Sequence, residues 1–340
     1  TLINRGNSFK DGLEWVQDRI EGSCSILLLT EDGIYVARDR LGRTPIVIGR
    51  KESGYAATFE TAALPNLGYE IDTWVGPGEI ILMTEEGLEQ KRPPKEEMQI
   101  CTFLWMYYGY PASSYENINV EEVRNRCGER LAARDDVRPD LVAGIPDSGT
   151  GHAIGYAVES QLPYRRPFVK YTPTWPRSFM PQDQQVRNLV ASMKLIPIDS
   201  LIRDKKLLFC EDSIVRGTQL KGIISRLFGF DAREIHMRVA CPPLVYGCKF
   251  LNFSRSRSVF DLAARKAIGH LEGNAPENLR NYTDPTTEEF RKMIEYIREH
   301  IGVTSLKYQK LDDVVKSVGL PREKLCTYCW TGCEGPCKNA

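Results

Sequence analysis

The sequence predicts an α/β fold: a parallel sheet covered by helices on both faces, preceded by a smaller unit rich in antiparallel strands. Three observations carry this. Apolar runs at residues 140–145, 206–210 and 234–240 have strand length, and the first two lead directly into helical patterns. Strands that alternate with helices form a parallel sheet, because each crossover lays a helix on a face. Residues 22–86 instead show short runs separated by tight-turn sequences, the pattern of hairpins. The length of 340 residues suits two domains.

Taken in order, residues 1–20 read as a helix, with Phe9, Leu13, Val16 and Ile20 three or four apart. Strands follow at 24–29 and 33–37 around a Glu31-Asp32-Gly33 turn. A polar loop at 38–45 precedes strands at 46–49, 55–59 and 79–83, with Gly76-Pro77-Gly78 as a turn. Residues 87–100, rich in Lys, Pro and Glu, read as a linker, and 101–110 are aromatic-rich. A helix at 120–134 turns Val123, Cys127 and Leu131 inward. The strand at 140–145 runs through a small polar loop into a helix ending near Ser160, and 168–171 is a further strand. Residues 206–240 make a βαβ unit whose helix spans 218–228. Residues 285–300 form a helix in which Thr286 and Glu289 make a capping box and Phe290, Met293, Ile294 and Ile297 one apolar face. A shorter helix at 311–318 is stopped by Gly319 and Pro321.

Composition excludes several classes. Lys+Arg and Asp+Glu number 45 each, so no overall basic field exists and nucleic acid is not indicated. The apolar fraction of 42% supports sizeable cores. No run approaches the roughly 18 apolar residues of a membrane span, and no secretory pattern opens the chain. The expectation is a soluble cytoplasmic protein. Ten cysteines are many for that compartment, which argues against disulfides and for metal or cluster ligation. Cys24, Cys127 and Cys210 lie in apolar or helical surroundings and read as packing residues.

The chemistry concentrates at residues 206–218. A buried strand ends in Glu211-Asp212, then a tight loop, Ser213-Ile214-Val215-Arg216-Gly217-Thr218, opens a helix. Free N–H groups and the dipole of such a helix start favour an anion. Two carboxylates beside that anion site need hydroxyls or a metal, so the stretch reads as a site for a phosphorylated sugar. Pro146-Asp147-Ser148-Gly149-Thr150 repeats the strand-end, small-polar-loop, helix logic. Residues 177–187 are long, polar and aperiodic, as lids are. Cys326-Thr327-Tyr328-Cys329 has the spacing that lets two thiolates share a metal or cluster. With Cys333 and Cys337 the tail holds four cysteines within twelve residues, so a local zinc site on these four is the alternative.

Glu-Asp-Ser-Ile-Val-Arg-Gly-Thr, residues 211–218, resembles the 5-phosphoribosyl-1-pyrophosphate (PRPP) motif of type I phosphoribosyltransferases, and its spelling is similar to the amidophosphoribosyltransferase branch. Residues 37–45, Ala57-Thr58-Phe59-Glu60-Thr61 and Pro77-Gly78-Glu79 resemble the second part of a class II, N-terminal-nucleophile glutaminase domain. That family starts from a Cys nucleophile. Here the chain begins Thr1-Leu2-Ile3-Asn4, and the expectation is that the front of the domain is absent and glutamine hydrolysis lacks its nucleophile. Thr1 as a Thr nucleophile is the lesser reading, since it leads into a helix. The expected division is 1–90 for the partial glutaminase-like domain, 91–280 for the phosphoribosyltransferase domain, and 281–340 for C-terminal helices and a cysteine-rich tail.

The resemblance implies roles. Glu211 and Asp212 would hold the ribose hydroxyls and lie near Mg²⁺. Ser213, Ile214, Val215, Arg216, Gly217 and Thr218 would hold the 5′-phosphate. Pro146, Asp147, Ser148, Gly149 and Thr150 would hold the pyrophosphate with its divalent cation. The lid would bring Arg177 to the phosphates, and Lys194 closes a pattern in which Ser192 stands where the family has Arg. Arg177 and Lys194 are thus the expected catalytic cations, and Lys170 matches a further basic position. Cys101, Cys248, Cys326 and Cys329 match the ligands of a 4Fe–4S cluster, with Cys248 following Pro242-Pro243. The implied activity joins PRPP and ammonia, from glutamine in an intact member, to give 5-phosphoribosylamine and pyrophosphate. This is the first step of de novo purine synthesis. The implied partners include purine nucleotides as inhibitors and further copies of the chain, as dimer or tetramer. A catalytically weak PRPP- or nucleotide-binding regulator and a salvage enzyme acting on a free base are the competing readings.

Overall fold

The computed structural model describes residues 2–170, 195–251, 258–273 and 278–335. Strand alternation organises its first part. α1 (Phe9–Arg19) is capped by Ser8, whose hydroxyl accepts from Asp11 N at 3.1 Å. It sets Leu13 against Tyr35, Ala37, Ile80 and Leu82, one face of a four-stranded antiparallel sheet. That sheet runs β1 (Ile26–Thr30), β2 (Gly33–Ala37), β6 (Ile80–Met83) and β7 (Leu88–Arg92). Its other face turns Val36, Ile81 and Met83 onto Ile48 of a second sheet and onto Ile46 and Val75, which flank two of that sheet's strands. This second sheet is β4 (Gly54–Thr58), β3 (Val47–Lys51) and β5 (Glu70–Trp74); the short helix α2 (Ala63–Asn66) lies between β4 and β5 in the chain.

Residues 87–100 are therefore not a plain linker, because β7 occupies 88–92 and pairs with β6. β7 and β5 escape sequence reading for one reason. Each is the outermost strand of its sheet, partly exposed, and carries the charged residues that suit an edge.

The chain then forms β8 (Ile100–Cys101), a single π-type turn at Leu104–Tyr108, the short hairpin β9 (Ser114–Tyr115) and β10 (Ile118–Asn119), and α3 (Val120–Ala132). A parallel sheet follows in the order β11 (Leu141–Gly144), β14 (Lys206–Glu211), β15 (Glu234–Val239) and β16 (Ser305–Tyr308). Leu207, Leu208, Phe209 and Cys210 of β14 are all 0% exposed. Successive strand residues point to opposite faces, so both faces of this sheet are covered. α4 (Gly149–Ser160) follows β11, and α5 (Thr218–Phe228) follows β14 and buries Leu220, Ile224 and Leu227. β12 (Phe168–Lys170) pairs antiparallel with β13 (Leu195–Pro197) in a separate two-stranded sheet, not in the parallel one.

Beyond β15 come α6 (Ala263–Glu272), α7 (Glu288–Ile301), α8 (Leu311–Val318), β17 (Leu325–Cys326) and α9 (Tyr328–Thr331). The cap of α7 is Thr287 rather than Thr286: the Thr287 hydroxyl accepts from Phe290 N at 3.2 Å, while Thr286 donates to Asp284 and Glu289 accepts from Asn281. Among the described residues no helix is long and apolar enough to cross a membrane.

A buried ion pair ties the end of α3 to β15. Arg238 of β15, 0% exposed, donates from Nε and Nη2 to Asp135, just beyond α3. Asp135 also accepts from Tyr156 Oη at 2.7 Å and Lys307 Nζ at 2.9 Å. Burial alone would raise its carboxyl; the hydrogen bonds and charge of Arg238 outweigh that and hold it well below the usual carboxylate range. A depressed carboxyl stabilises the fold above its unfolded pKa and loses that contribution as pH falls through the folded one. Asp135→Ala leaves Arg238 buried and unpaired, and urea denaturation is expected to show a loss of about 3–5 kcal/mol at neutral pH that shrinks in acid.

Candidate functional site

β11 and β14 are parallel neighbours with Gly144 opposite Cys210, so the loops after them open at the same end of the sheet. The two ends nearly touch. Ile145 N donates to Cys210 O at 2.9 Å. A Cβ on Gly149 would lie 2.4 Å from Cys210 O, and one on Gly144 would lie 2.6 Å from Gly149 O. Only glycine at both places lets the first turn of α4 rest on the end of β14. The Pro146–Asp147 peptide in this loop is cis.

Ser148 stands at the N-cap of α4, yet its side chain makes no cap. Its hydroxyl donates instead to Asp212 Oδ2, and the Ser213 hydroxyl donates to Oδ1. Asp212, 3% exposed, is thus fixed from both sides, and the first of these bonds joins the two loops. Glu211 accepts from Asp212 N at 3.2 Å. Burial first, then the charge of Asp212, pushes the Glu211 carboxyl well above the usual range. Ribose hydroxyls or a divalent cation would relieve this pair. Beyond it, Ile214 is buried in the core and Ala263 N donates to Val215 O at 2.7 Å, which pins the loop from the α6 side. Gly217 takes φ +74° at the start of α5, where no side chain caps the helix. The first-turn N–H groups of α5 suit an anion.

Sequence reading missed three residues here. Tyr107, in the π-type turn, is 44% exposed, and its phenol is raised by burial and by the charges of Asp212 and Glu211. Arg124 of α3 holds that turn by donating to Trp105 O at 2.8 Å, Tyr107 O at 2.7 Å and Gly109 O at 2.9 Å, and its charge reaches Asp212. His152 of α4 meets Met106 O at 3.2 Å from Nε2, and burial pushes its imidazole down to about 3, so it is neutral. The aromatic richness of 101–110 was the sole signal. Arg177, Lys194, Ser192 and the whole 177–187 segment lie outside the described residues, as do Thr1, Cys337 and the Lys170 side chain.

The four cysteines expected to act together do converge. β17 pairs with β8 in parallel, which sets Cys326 opposite Cys101. Tyr246 N donates to Cys329 O at 3.0 Å, the Cys248 and Cys329 thiols are hydrogen-bonded, and Cys101 senses both Cys326 and Cys248. Burial, with the neighbouring Cys326, pushes the Cys101 thiol up to about 12. Arg43 donates from Nη1 to Cys326 Sγ at 2.9 Å and stacks on Phe250 at 3.5 Å. Among the described residues, no three His, Cys, Asp or Glu side chains close around one metal ion. Cys333 is disulfide-bonded, against the expectation of reduced cysteines, and a bonded sulfur cannot serve as a thiolate ligand in the four-cysteine zinc alternative. Cys127 and Cys210 are fully buried packing residues, as expected, while Cys24 is half-buried.

The raised Glu211 carboxyl has a definite sign. Its contribution to stability is full below the unfolded carboxylate pKa and is lost as pH rises through the folded value. Glu211→Gln is expected to raise stability at neutral pH by about 0.5–2 kcal/mol and to flatten the decline above the usual carboxylate range. Thermal melts across that decline check it.

No protein-family model matches the chain. An amidophosphoribosyltransferase of Mycobacterium tuberculosis is 32% identical over 314 residues, 92% of this chain and 55% of the relative. One from Methanocaldococcus jannaschii is 30% identical over 330 residues, 92% of this chain and 64% of the relative. The solved structure of glutamine PRPP amidotransferase from B. subtilis, complexed with ADP and GMP, matches at TM-score 0.80 with 27% identity, covering 97% of this chain and 68% of that one. The chain thus spans 55% and 64% of these two curated relatives. Over the part that it spans, the chain is similar to amidophosphoribosyltransferases.

Proposed function

We propose that the chain carries the phosphoribosyl-transfer half of an amidophosphoribosyltransferase. It would join PRPP and ammonia to give 5-phosphoribosylamine, pyrophosphate and a proton, at the first step of de novo purine synthesis. The observation that carries this is the Ser148–Asp212 hydrogen bond, which makes one site of two anion loops. Residues 213–218 would hold the 5′-phosphate on their N–H groups. Glu211 and Asp212 would orient the ribose through its hydroxyls. Residues 146–150 would receive the pyrophosphate as the C1–oxygen bond breaks and the pyrophosphate takes the electron pair. The ammonia nitrogen would bond to C1 and release its proton to water, so no protein base is needed. Mg²⁺, near Glu211 and Asp212, would supply charge neutralisation of the leaving pyrophosphate. Arg177 and Lys194 would be the lid cations, with Ser192 in place of a third. Glutamine would enter this chemistry only as the ammonia released by a glutaminase nucleophile.

The same proposal extends to the cysteines. Cys101, Cys248, Cys326 and Cys329 would hold a 4Fe–4S cluster. Their mutual proximity and the Arg43 donor to Cys326 support the fit, and a four-iron cube spreads its thiolates more widely than a single ion does. Such a cluster would crosslink β8, the loop after β15 and the C-terminal segment. The division into 1–90, 91–280 and 281–340, a cytoplasmic location, purine nucleotide inhibitors and a homo-oligomer belong to this reading as well.

Incubation with PRPP, Mg²⁺ and ammonium is expected to release pyrophosphate, and Asp212→Asn to lower kcat/KM by about a hundredfold or more. PRPP binding without release would instead indicate the regulator, and release only with a purine or pyrimidine base a salvage enzyme. Anaerobically purified protein is expected to be brown with about four irons per chain and to lose both on Cys101→Ser; a colourless, zinc-containing protein contradicts the cluster.

A further inference from the structure

A cavity of about 860 Å³ opens beside edge strand β16, between α7, the start of α8 and α9. None of residues 146–150 or 211–218 lines it. The volume is that of a small-molecule site. Its wall is apolar, with Phe290 and Ile294 of α7, Leu306 of β16, Leu311 of α8 and Trp330 of α9.

The charges around this wall do not cancel. Of its carboxylates, Glu295 pairs with Arg298 at 2.6 Å and Asp312 with Arg322 at 3.3 Å, while Asp284 accepts from Thr286 N at 2.8 Å. Arg280, Arg291 and Lys310, exposed at the mouth, form no ion pair among the described residues. The start of a helix faces the same space. α8 begins at Lys310 with no side-chain cap. Trp330, 2% exposed, adds its ring to the wall, while its Nε1 is directed to the Cys241 thiol, which does not line the cavity.

We propose that this cavity binds a small anion built on a ring or other flat apolar body, a phosphate or carboxylate ester or acid of that kind. The apolar wall would take the body. Arg280, Arg291 and Lys310 would take the charge, and the start of α8 would donate to its oxygens. The site is separate from the sugar-phosphate loops and does not depend on how they are used.

The test is phenyl phosphate binding to the full chain, followed by calorimetry and ligand-detected NMR with saturating ribose 5-phosphate present to occupy residues 213–218. Binding is expected to persist under that competition and to weaken at least about tenfold in Arg280→Ala/Arg291→Ala, whose exposed side chains leave the melting temperature unchanged. Ile294→Trp, which places a bulky ring on the apolar wall, is expected to weaken it further. Benzoate in place of phenyl phosphate tells which anion is preferred, and stronger binding of either than of inorganic phosphate supports the apolar wall. Displacement by ribose 5-phosphate, binding untouched in the double variant, or no binding at millimolar probe overturns the proposal.

Discussion

The closeness of α4 to the end of β14 governs everything at the carboxyl edge of the sheet. The Cys210 carbonyl lies 2.4 Å from where a side chain on residue 149 would begin, and the turn before it is as tight at Gly144. That contact brings Ser148 over Asp212 and turns two separate strand ends into one concave surface. Ser148 gives up the usual task of an N-cap residue for this, and the helix start is left with its N–H groups free of a side-chain cap. The same trade is made at Gly217, where a left-handed residue opens α5 uncapped. The start of α5 is thereby open to an anion, Gly149 N and Thr150 N of α4 donate to Ile145 O and Asp147 O, and a carboxylate pair sits between the two helix starts.

The rest of the domain keeps that arrangement from relaxing. β14 is buried on both faces, so it cannot shift without opening the core. Arg124 clamps three carbonyls of the π-type turn and brings Tyr107 to the rim of the acidic pair. Asp135 and Arg238 fix the end of α3 to β15. Glu211 is the strained member: its carboxyl resists ionisation beside Asp212, which is how a site looks when its complement is a cation or a set of hydroxyls rather than another side chain. Stability and binding pull in opposite directions at this one residue.

Much of this was legible in residue order. β14, α5 and α8 fall where apolar runs and helical spacing put them, because both signals are dense there and the elements are buried. Glu211-Asp212 and the two loops stand out because small polar residues between a strand and a helix have few other uses. The edge strands β5 and β7 were hidden, since a strand half in water carries the composition of a loop. Tyr107, Arg124 and His152 were hidden for a different reason. Their role arises from packing of a π-type turn against α3 and α4, and no local pattern encodes which carbonyls a distant guanidinium will meet. The convergence of Cys101, Cys248, Cys326 and Cys329 was reached through family likeness, since spacing alone joins only the last two.

The loops after β11 and β14 are proposed to form a single site for a sugar carrying a phosphate at one end and a pyrophosphate at the other. A crystal structure of the protein with PRPP and Mg²⁺ tests it most directly. The expected density has the 5′-phosphate on the N–H groups of residues 213–218, the ribose hydroxyls on Glu211 and Asp212, and the pyrophosphate on residues 146–150, with the Ser148–Asp212 bond intact. Density for PRPP at any other part of the chain, or at one loop with the other turned away, would contradict a shared site.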